Sequence, residues 1–152
     1  MTPLLLNLVD MSAHAERWAK EHLVLPKGVF YLHGDMGAGK TTWVRQVLMS
    51  MGVDEAVTSP TFGLVHRYYI GSLCLVHADL FRFETVEQLH EMGLWDEIEQ
   101  ADLTWVEWPE RAKGYLPSAD VSLHFAWHSE HLRQFWWQEH TQLGSDLTLS
   151  FR

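Results

Sequence analysis

Apolar residues along the chain change their period several times, and each change marks an element. Residues 3–8 (Pro-Leu-Leu-Leu-Asn-Leu) predict a short strand. Asp10 or Ser12 can then cap a helix in which Ala15, Trp18, Ala19 and Leu23 share one face at helical spacing. Gly28 to His33 is a brief apolar run between turn signals, the pattern of a strand buried on both faces. A glycine-rich turn leads into a second helix from about Lys40 to Met51, with Gly52 placed to stop it. Phe62–Ile70 and Leu73–Ala78 flank Gly71-Ser72 and predict a hairpin with a two-residue turn.

Thr85-Val-Glu-Gln88 matches a capping box that opens a helix ended by Gly93. Leu103–Val106 is another short buried strand. Beyond Pro117, the segments Val121–Trp127, Leu132–Trp137 and Leu147–Phe151 predict strands paired antiparallel. A strand–helix–strand core followed by hairpins is the pattern of an α/β layered domain with a mixed sheet.

Composition narrows the class. The chain has 152 residues, 47% of them hydrophobic and 20% charged, which fits one folded domain over residues 1–152 and argues against disorder. There is no internal repeat, low-complexity tract or linker. No apolar stretch approaches the roughly 20 residues that span a bilayer, and the first residues lack the basic segment and cleavage site of a secretion signal. The lone cysteine, Cys74, excludes an internal disulfide and a four-cysteine zinc site. A cytoplasmic protein without membrane attachment is expected. Eleven basic against 20 acidic residues give a net charge of −9, so the surface as a whole repels a polyanion. Nucleic acid, if it enters the biology, is expected on a partner.

One segment carries most of the chemical information. Gly34-Asp35-Met36-Gly37-Ala38-Gly39-Lys40-Thr41 is a full match to G-x-x-x-x-G-K-[ST], directly after a predicted strand and at the start of a predicted helix. Glycines there permit torsions and close approaches that a Cβ forbids, so successive N–H groups converge on phosphate oxygens at a helix N-terminus. Lys40 can bring an ammonium to the β- and γ-phosphates, and Thr41 a hydroxyl to Mg²⁺. The expectation is a nucleoside triphosphate site in a P-loop nucleoside-triphosphatase-like, three-layer α/β domain with a mixed sheet and C-terminal antiparallel strands. Guanine readers of this loop class use Asn or Thr followed by Lys, any residue, then Asp. The only asparagine is Asn7 and none of the four lysines has that context, which favours adenine by elimination.

Such a site needs an acid at the end of a buried strand to hold Mg²⁺ or its waters. Asp79 ends one apolar run and Glu107 another, and spacing alone does not choose between them. Thr58-Ser-Pro-Thr61, between the second helix and the hairpin, offers hydroxyls that can report a γ-phosphate by ordering. Arg82 can offset phosphate charge or simply lie on the surface. His124, His128, His131 and His140 straddle strands without partner cysteines, a poor metal pattern. Trp127, Trp136 and Trp137 offer a partner surface, a base-stacking platform or plain core packing.

These residues together resemble a known family. Gly34 to Thr42, Ser59-Pro-Thr61-Phe62, His77-Ala-Asp79-Leu-Phe-Arg82, the Glu87–Gly93 segment and Val106-Glu107-Trp108-Pro109 follow the order and approximate spacing of the TsaE family, the bacterial ATPase of tRNA threonylcarbamoyladenosine biosynthesis. The likeness is good over about residues 28–117 and looser at both ends. It implies binding and hydrolysis of ATP with Mg²⁺. It also implies work with TsaB and TsaD proteins, which transfer a threonylcarbamoyl group to an adenosine beside the anticodon, tRNA being held mainly by those partners. It carries metal binding over to Thr41 and Glu107, catalytic support to Asp79, and nucleotide contact to Thr42, Thr61, Trp108 and Arg133. Where the family has a Thr near the base, this chain reads Met11-Ser-Ala-His14.

The expected activity is a Mg²⁺-dependent ATPase in which Lys40, Asp79 and Glu107 act by positioning and electrostatics. No arginine is evidently placed as a finger in cis, so turnover should be slow without partners. Self-association is compatible with the sequence. A small-molecule kinase would use the same loop but usually adds an arginine-rich lid, and only seven arginines are scattered here. A regulatory ATP-binding module without turnover is the other rival.

Overall fold

Five helices and seven strands make up a computed structural model that describes residues 2–24, 27–54 and 65–152. The strands are β1 (Leu4–Leu6), β2 (Gly28–His33), β3 (Val65–Ile70), β4 (Leu73–Asp79), β5 (Leu103–Glu107), β6 (Val121–Trp127) and β7 (Arg133–Glu139). The helices are α1 (Leu8–Glu21), α2 (Lys40–Met51), α3 (Val86–Glu91), α4 (Leu94–Gln100) and α5 (Gln142–Leu147). All seven strands join one sheet in the order β1-β7-β6-β2-β5-β4-β3. β2, β4, β5 and β6 run parallel, while β3, β7 and β1 are antiparallel to their neighbours. The mixed sheet and the C-terminal antiparallel pair are as the hydrophobic pattern led us to expect. Among the described residues no helix is long and apolar enough to cross a membrane.

Burial explains the layering. Phe30, Leu32, Leu75, Trp105, Leu123, Phe125 and Phe135 point to one face of the sheet, where α1 and α2 cover them with Trp18, Trp43 and Val47. On the other face Ala78, Leu80 and Val106 pack against Leu89 of α3 and Leu94 and Ile98 of α4. β5 is therefore buried at all five positions. β2 is fully buried only on its Phe30–Leu32 face; Val29, Tyr31 and His33 are half-buried, because the second helical layer covers less of the sheet. Trp18, Trp43, Trp105 and Phe30 meet edge-on, tilted or stacked at centroid distances of 5.4–6.4 Å, each such contact adding about 0.5–1.5 kcal/mol beyond area.

The helices follow their local signals in part. α2 has the expected bounds, and Gly52 caps it at φ 106°. The Gly71-Ser72 turn joins Ile70 to Leu73 in register; Phe62–Leu64 lie outside the described residues. α1 is capped by Asn7, not by Asp10 or Ser12. The Asn7 side chain accepts from the Asp10 amide at 2.9 Å and Asp10 completes the capping box. Leu23 falls beyond the helix and is exposed. Thr85 caps α3 and Gly93 ends it, as expected; at φ 61° the same glycine also opens α4, a helix that the sequence pattern does not announce.

Leu147–Phe151 is not a strand. Thr141 caps α5 by accepting from Gly144 N at 3.0 Å, and the tail continues as a 3-10 turn at Leu149–Phe151. Leu147 and Phe151, four residues apart, reach the core this way, and the Leu147 carbonyl accepts from Trp18 Nε1 at 2.7 Å. Glu139 fastens this tail: it accepts from Thr148 Oγ1 at 2.5 Å and Arg152 at 3.0 Å, bonds that pull its carboxyl down to about 2. His14 of α1 lies between Phe135 and Phe151 with no partner for either ring nitrogen among the described residues. Burial, helped by Arg17, pushes its pKa down to about 4.

Candidate functional site

β2 delivers the chain into the Gly34–Gly39 loop at the carboxyl end of the parallel strands, where open α/β sheets bind ligands. Two glycines are required by geometry. At Gly34 (φ 143°) a Cβ would stand 2.1 Å from the Phe125 carbonyl oxygen, so the loop lies directly on the β6 backbone. At Gly39 (φ 114°) a Cβ would stand 2.7 Å from Met11 Sδ, so α1 presses on the loop from behind. Ala38 N donates to the Asp35 carbonyl at 3.1 Å, which tightens the turn. Asp35, Met36 and Gly37 are exposed, whereas Ala38, Gly39 and Lys40 are buried. The first amides of α2 have no preceding helical carbonyl and are available to an anion.

The loop borders a cavity of about 240 Å³ lined by Met36, Gly37, Gly39, Lys40, Thr41 and Thr42 on one side and by Asp79, Phe81, Glu107 and Trp108 on the other. The parallel pairing of β4 with β5 sets Asp79 directly beside Glu107, and β2 sets Leu32 on the other side of Glu107. Both acids therefore sit at the carboxyl end of the sheet beside the loop. Glu107 is 2% exposed. Its carboxylate accepts from Thr41 Oγ1 at 2.8 and 3.1 Å, and from His77 Nε2 at 2.8 Å. Asp79 is half-buried and accepts from Phe81 N at 2.9 Å, an Asx turn that holds its side chain at the strand end.

Lys40 is folded back onto its own loop. Its ammonium donates to the Asp35 carbonyl at 2.9 Å and to the Gly34 carbonyl, and lies 4.2 Å from the centre of the Trp108 ring. Burial pulls its pKa below the ordinary lysine value, while Glu107, then Asp79, Glu110 and Asp35, oppose that shift. Trp108 is the single non-glycine residue with positive φ among the described residues, at φ 56°. Such a conformation costs about 1–3 kcal/mol and marks a position held for a purpose. Here it turns the indole over Lys40 just before Pro109 opens a 3-10 turn. Phe81 supports it, with ring centres 5.0 Å apart.

Other expected residues fall elsewhere. Thr58–Thr61 lies outside the described residues, so Thr61 has no placement. Arg82 is exposed. Arg133 does not line the cavity; its guanidinium stacks 3.3 Å from the Trp127 ring centre, and Trp127 in turn meets Gly37. Trp137 is in the core, Trp136 is half-buried and stacks on His124 with centres 5.0 Å apart, and Trp127 is exposed. His33 stacks on the other side of His124 at 4.8 Å. The three rings face one another, which leaves mostly edges outward and a poor platform for a base. Among the described residues no group of three His, Cys, Asp or Glu side chains is arranged to hold a metal.

Sequence reasoning missed two members, His77 and Phe81. His77 lies two residues before Asp79 on one strand, and the period of two that puts both on the same face was available as a signal.

The site suits a magnesium–nucleotide complex in its donor chemistry. Thr41 and Glu107 offer only oxygen, the ligand type Mg²⁺ prefers, and the two are already within hydrogen-bond distance. The Thr41 proton points to Glu107, which leaves hydroxyl lone pairs for a cation. The glycine cradle and Lys40 meet the needs of a polyphosphate.

Residues 7–135 match the family model described as threonylcarbamoyl adenosine biosynthesis protein TsaE. The tRNA threonylcarbamoyladenosine biosynthesis protein TsaE of Haemophilus influenzae is 36% identical over 121 residues, covering 80% of this chain and 76% of that one. Its namesake in Synechocystis is 39% identical over 116 residues, 73% of each chain. The crystal structure of Bacillus subtilis YdiB superposes with a TM-score of 0.74 over 100% of this chain and 99% of that one, at 21% identity, a likeness of fold.

Proposed function

The chain belongs to the TsaE family of tRNA threonylcarbamoyladenosine biosynthesis, and from that premise we propose that it binds and hydrolyses ATP with Mg²⁺, as a single domain, in support of that modification. TsaB and TsaD proteins are its partners in this reading and hold the tRNA, in keeping with a net charge of −9. A cytoplasmic setting follows from the pathway.

The observation that carries the proposal is the Thr41–Glu107 pair, a loop hydroxyl donating to a nearly fully buried carboxylate at the foot of the cavity. The loop amides and Lys40 receive the triphosphate. Thr41 and Glu107 would hold Mg²⁺, which would supply charge neutralisation at the triphosphate. Asp79, next to Glu107 on the adjoining strand, orients the attacking water. Trp108 covers the Lys40 side of the cavity and excludes bulk water there. No arginine lines the cavity among the described residues. Lys40 is then the cavity's one basic side chain among the described residues, with no arginine to offset charge developing on the transferred group, and turnover is slow until partners complete the site.

The test is steady-state ATP hydrolysis by the chain alone and with TsaB and TsaD. Slow basal turnover that rises at least tenfold with both partners is expected. Unchanged turnover in the complex overturns the partnered ATPase, and phosphate transfer to a metabolite would establish a kinase instead.

A further inference from the structure

We propose that His77 is the positioning residue for the metal-holding carboxylate, its Nε2–H fixing Glu107 in the rotamer that Thr41 and Mg²⁺ require; the inference rests on the reading of Glu107 and Thr41 given above. His77 is fully buried on β4, and its Nε2 lies 2.8 Å from Glu107 Oε1. A carboxylate only accepts, so Nε2 carries the proton. The opposite nitrogen, Nδ1, is buried with no hydrogen-bond partner among the described residues.

That orphan nitrogen tells against a role in packing alone. Leaving a buried polar atom unpaired costs about 1–3 kcal/mol. Neighbouring positions on β4 are Leu75, Val76 and Ala78, all apolar and fully buried. A leucine at position 77 would meet the demands of the sheet without that cost. What only the imidazole provides is a donor aimed at Glu107. The carboxylate is nearly sealed from water, and its described donors are His77 and Thr41. Thr41 has one proton and reaches both oxygens, so by itself it leaves the carboxylate free to rotate. His77 removes that freedom by holding Oε1. Partners of metal-ligating groups set ligand orientation, and their loss commonly costs about 10–100-fold in metal affinity.

Two substitutions of similar polarity separate this role from a structural one. In His77→Gln the amide nitrogen reaches about as far as Nε2, whereas in His77→Asn it reaches only as far as Nδ1. ATP affinity is measured by calorimetry for each protein in EDTA and in excess Mg²⁺, together with its thermal midpoint. The wild-type chain is expected to bind ATP more tightly with Mg²⁺. The Gln variant should keep that gain within about threefold and the Asn variant should lose about tenfold or more of it, with binding in EDTA unchanged in both. If His77→Asn does not fold, His77→Leu, a donor-free side chain of similar volume, takes its place. A folded Asn or Leu variant that keeps the full gain, or a folded Gln variant that loses as much as they do, overturns the inference and leaves the proposed function standing. Absence of any Mg²⁺-dependent gain in the wild-type chain overturns the metal reading itself.

Discussion

Replacing Lys40 by methionine should weaken ATP binding strongly while leaving the fold in place. The side chain has two alternative sets of contacts. At rest it donates to the Asp35 and Gly34 carbonyls and lies over Trp108. Two modest hydrogen bonds to neutral carbonyls and a cation–π contact at the buried ammonium amount to about 2 kcal/mol. With ATP in the cavity the same ammonium meets anionic oxygens, where two charge-assisted bonds contribute about 4–6 kcal/mol. The difference, about 2–4 kcal/mol, is what the substitution removes, or about 30-fold to about 1,000-fold in Kd. Methionine keeps an unbranched apolar stem in the buried position, so the thermal midpoint should move by only a few degrees. Calorimetric titration with ATP and Mg²⁺, with a thermal melt of each protein, is the assay. A variant Kd within threefold of wild type would refute the reasoning, because it would mean that the ammonium stays on the loop carbonyls when the ligand binds.

The two loop glycines should differ in their tolerance of a methyl group. Gly34→Ala meets the backbone carbonyl of Phe125 at 2.1 Å, whereas Gly39→Ala meets the movable end of Met11. Both suffer the positive φ, so Gly39→Ala should cost about 1–3 kcal/mol and Gly34→Ala clearly more; urea denaturation giving the reverse order would contradict this loop geometry. The second expectation concerns pH. His14 has its folded pKa near 4 against an ordinary 6.5. A depressed folded value means that its neutral form contributes stability above pH 6.5, and that this is lost as pH falls toward 4. The full difference corresponds to about 3 kcal/mol. His14→Leu should remove most of that acid-side loss between pH 7.5 and 4.5, and parallel denaturation curves for the two proteins would show that the ring is not shielded as described.

Local signals were the legible ones. Glycines that need unusual torsions, a box at Thr85–Gln88 and an apolar run from Gly28 to His33 act within a few residues, and they placed α2, α3 and β2 correctly. The start of α4 is hidden because its N-cap is the same Gly93, at φ 61°, that ends α3. The tail misled because Leu147, Leu149 and Phe151 alternate like a strand, whereas the spacing that matters is the four residues from Leu147 to Phe151; Leu149 is exposed. Within the site, the loop was readable from its motif, but the adjacency of Asp79 and Glu107 depends on β4–β5 register across 27 intervening positions. The left-handed backbone of Trp108 arises from tertiary packing over Lys40, and no local pattern announces it. Arg133 was placed with the nucleotide by resemblance, and it stands one ring away, behind Trp127.

The most direct measurement is a crystal structure of the chain with a non-hydrolysable ATP analogue and Mg²⁺. The account requires triphosphate density against the Gly34–Thr41 amides, Lys40 moved off the Asp35 carbonyl, and a cation at Thr41 and Glu107. Nucleotide bound elsewhere, or a loop that stays empty at saturating analogue, would contradict it.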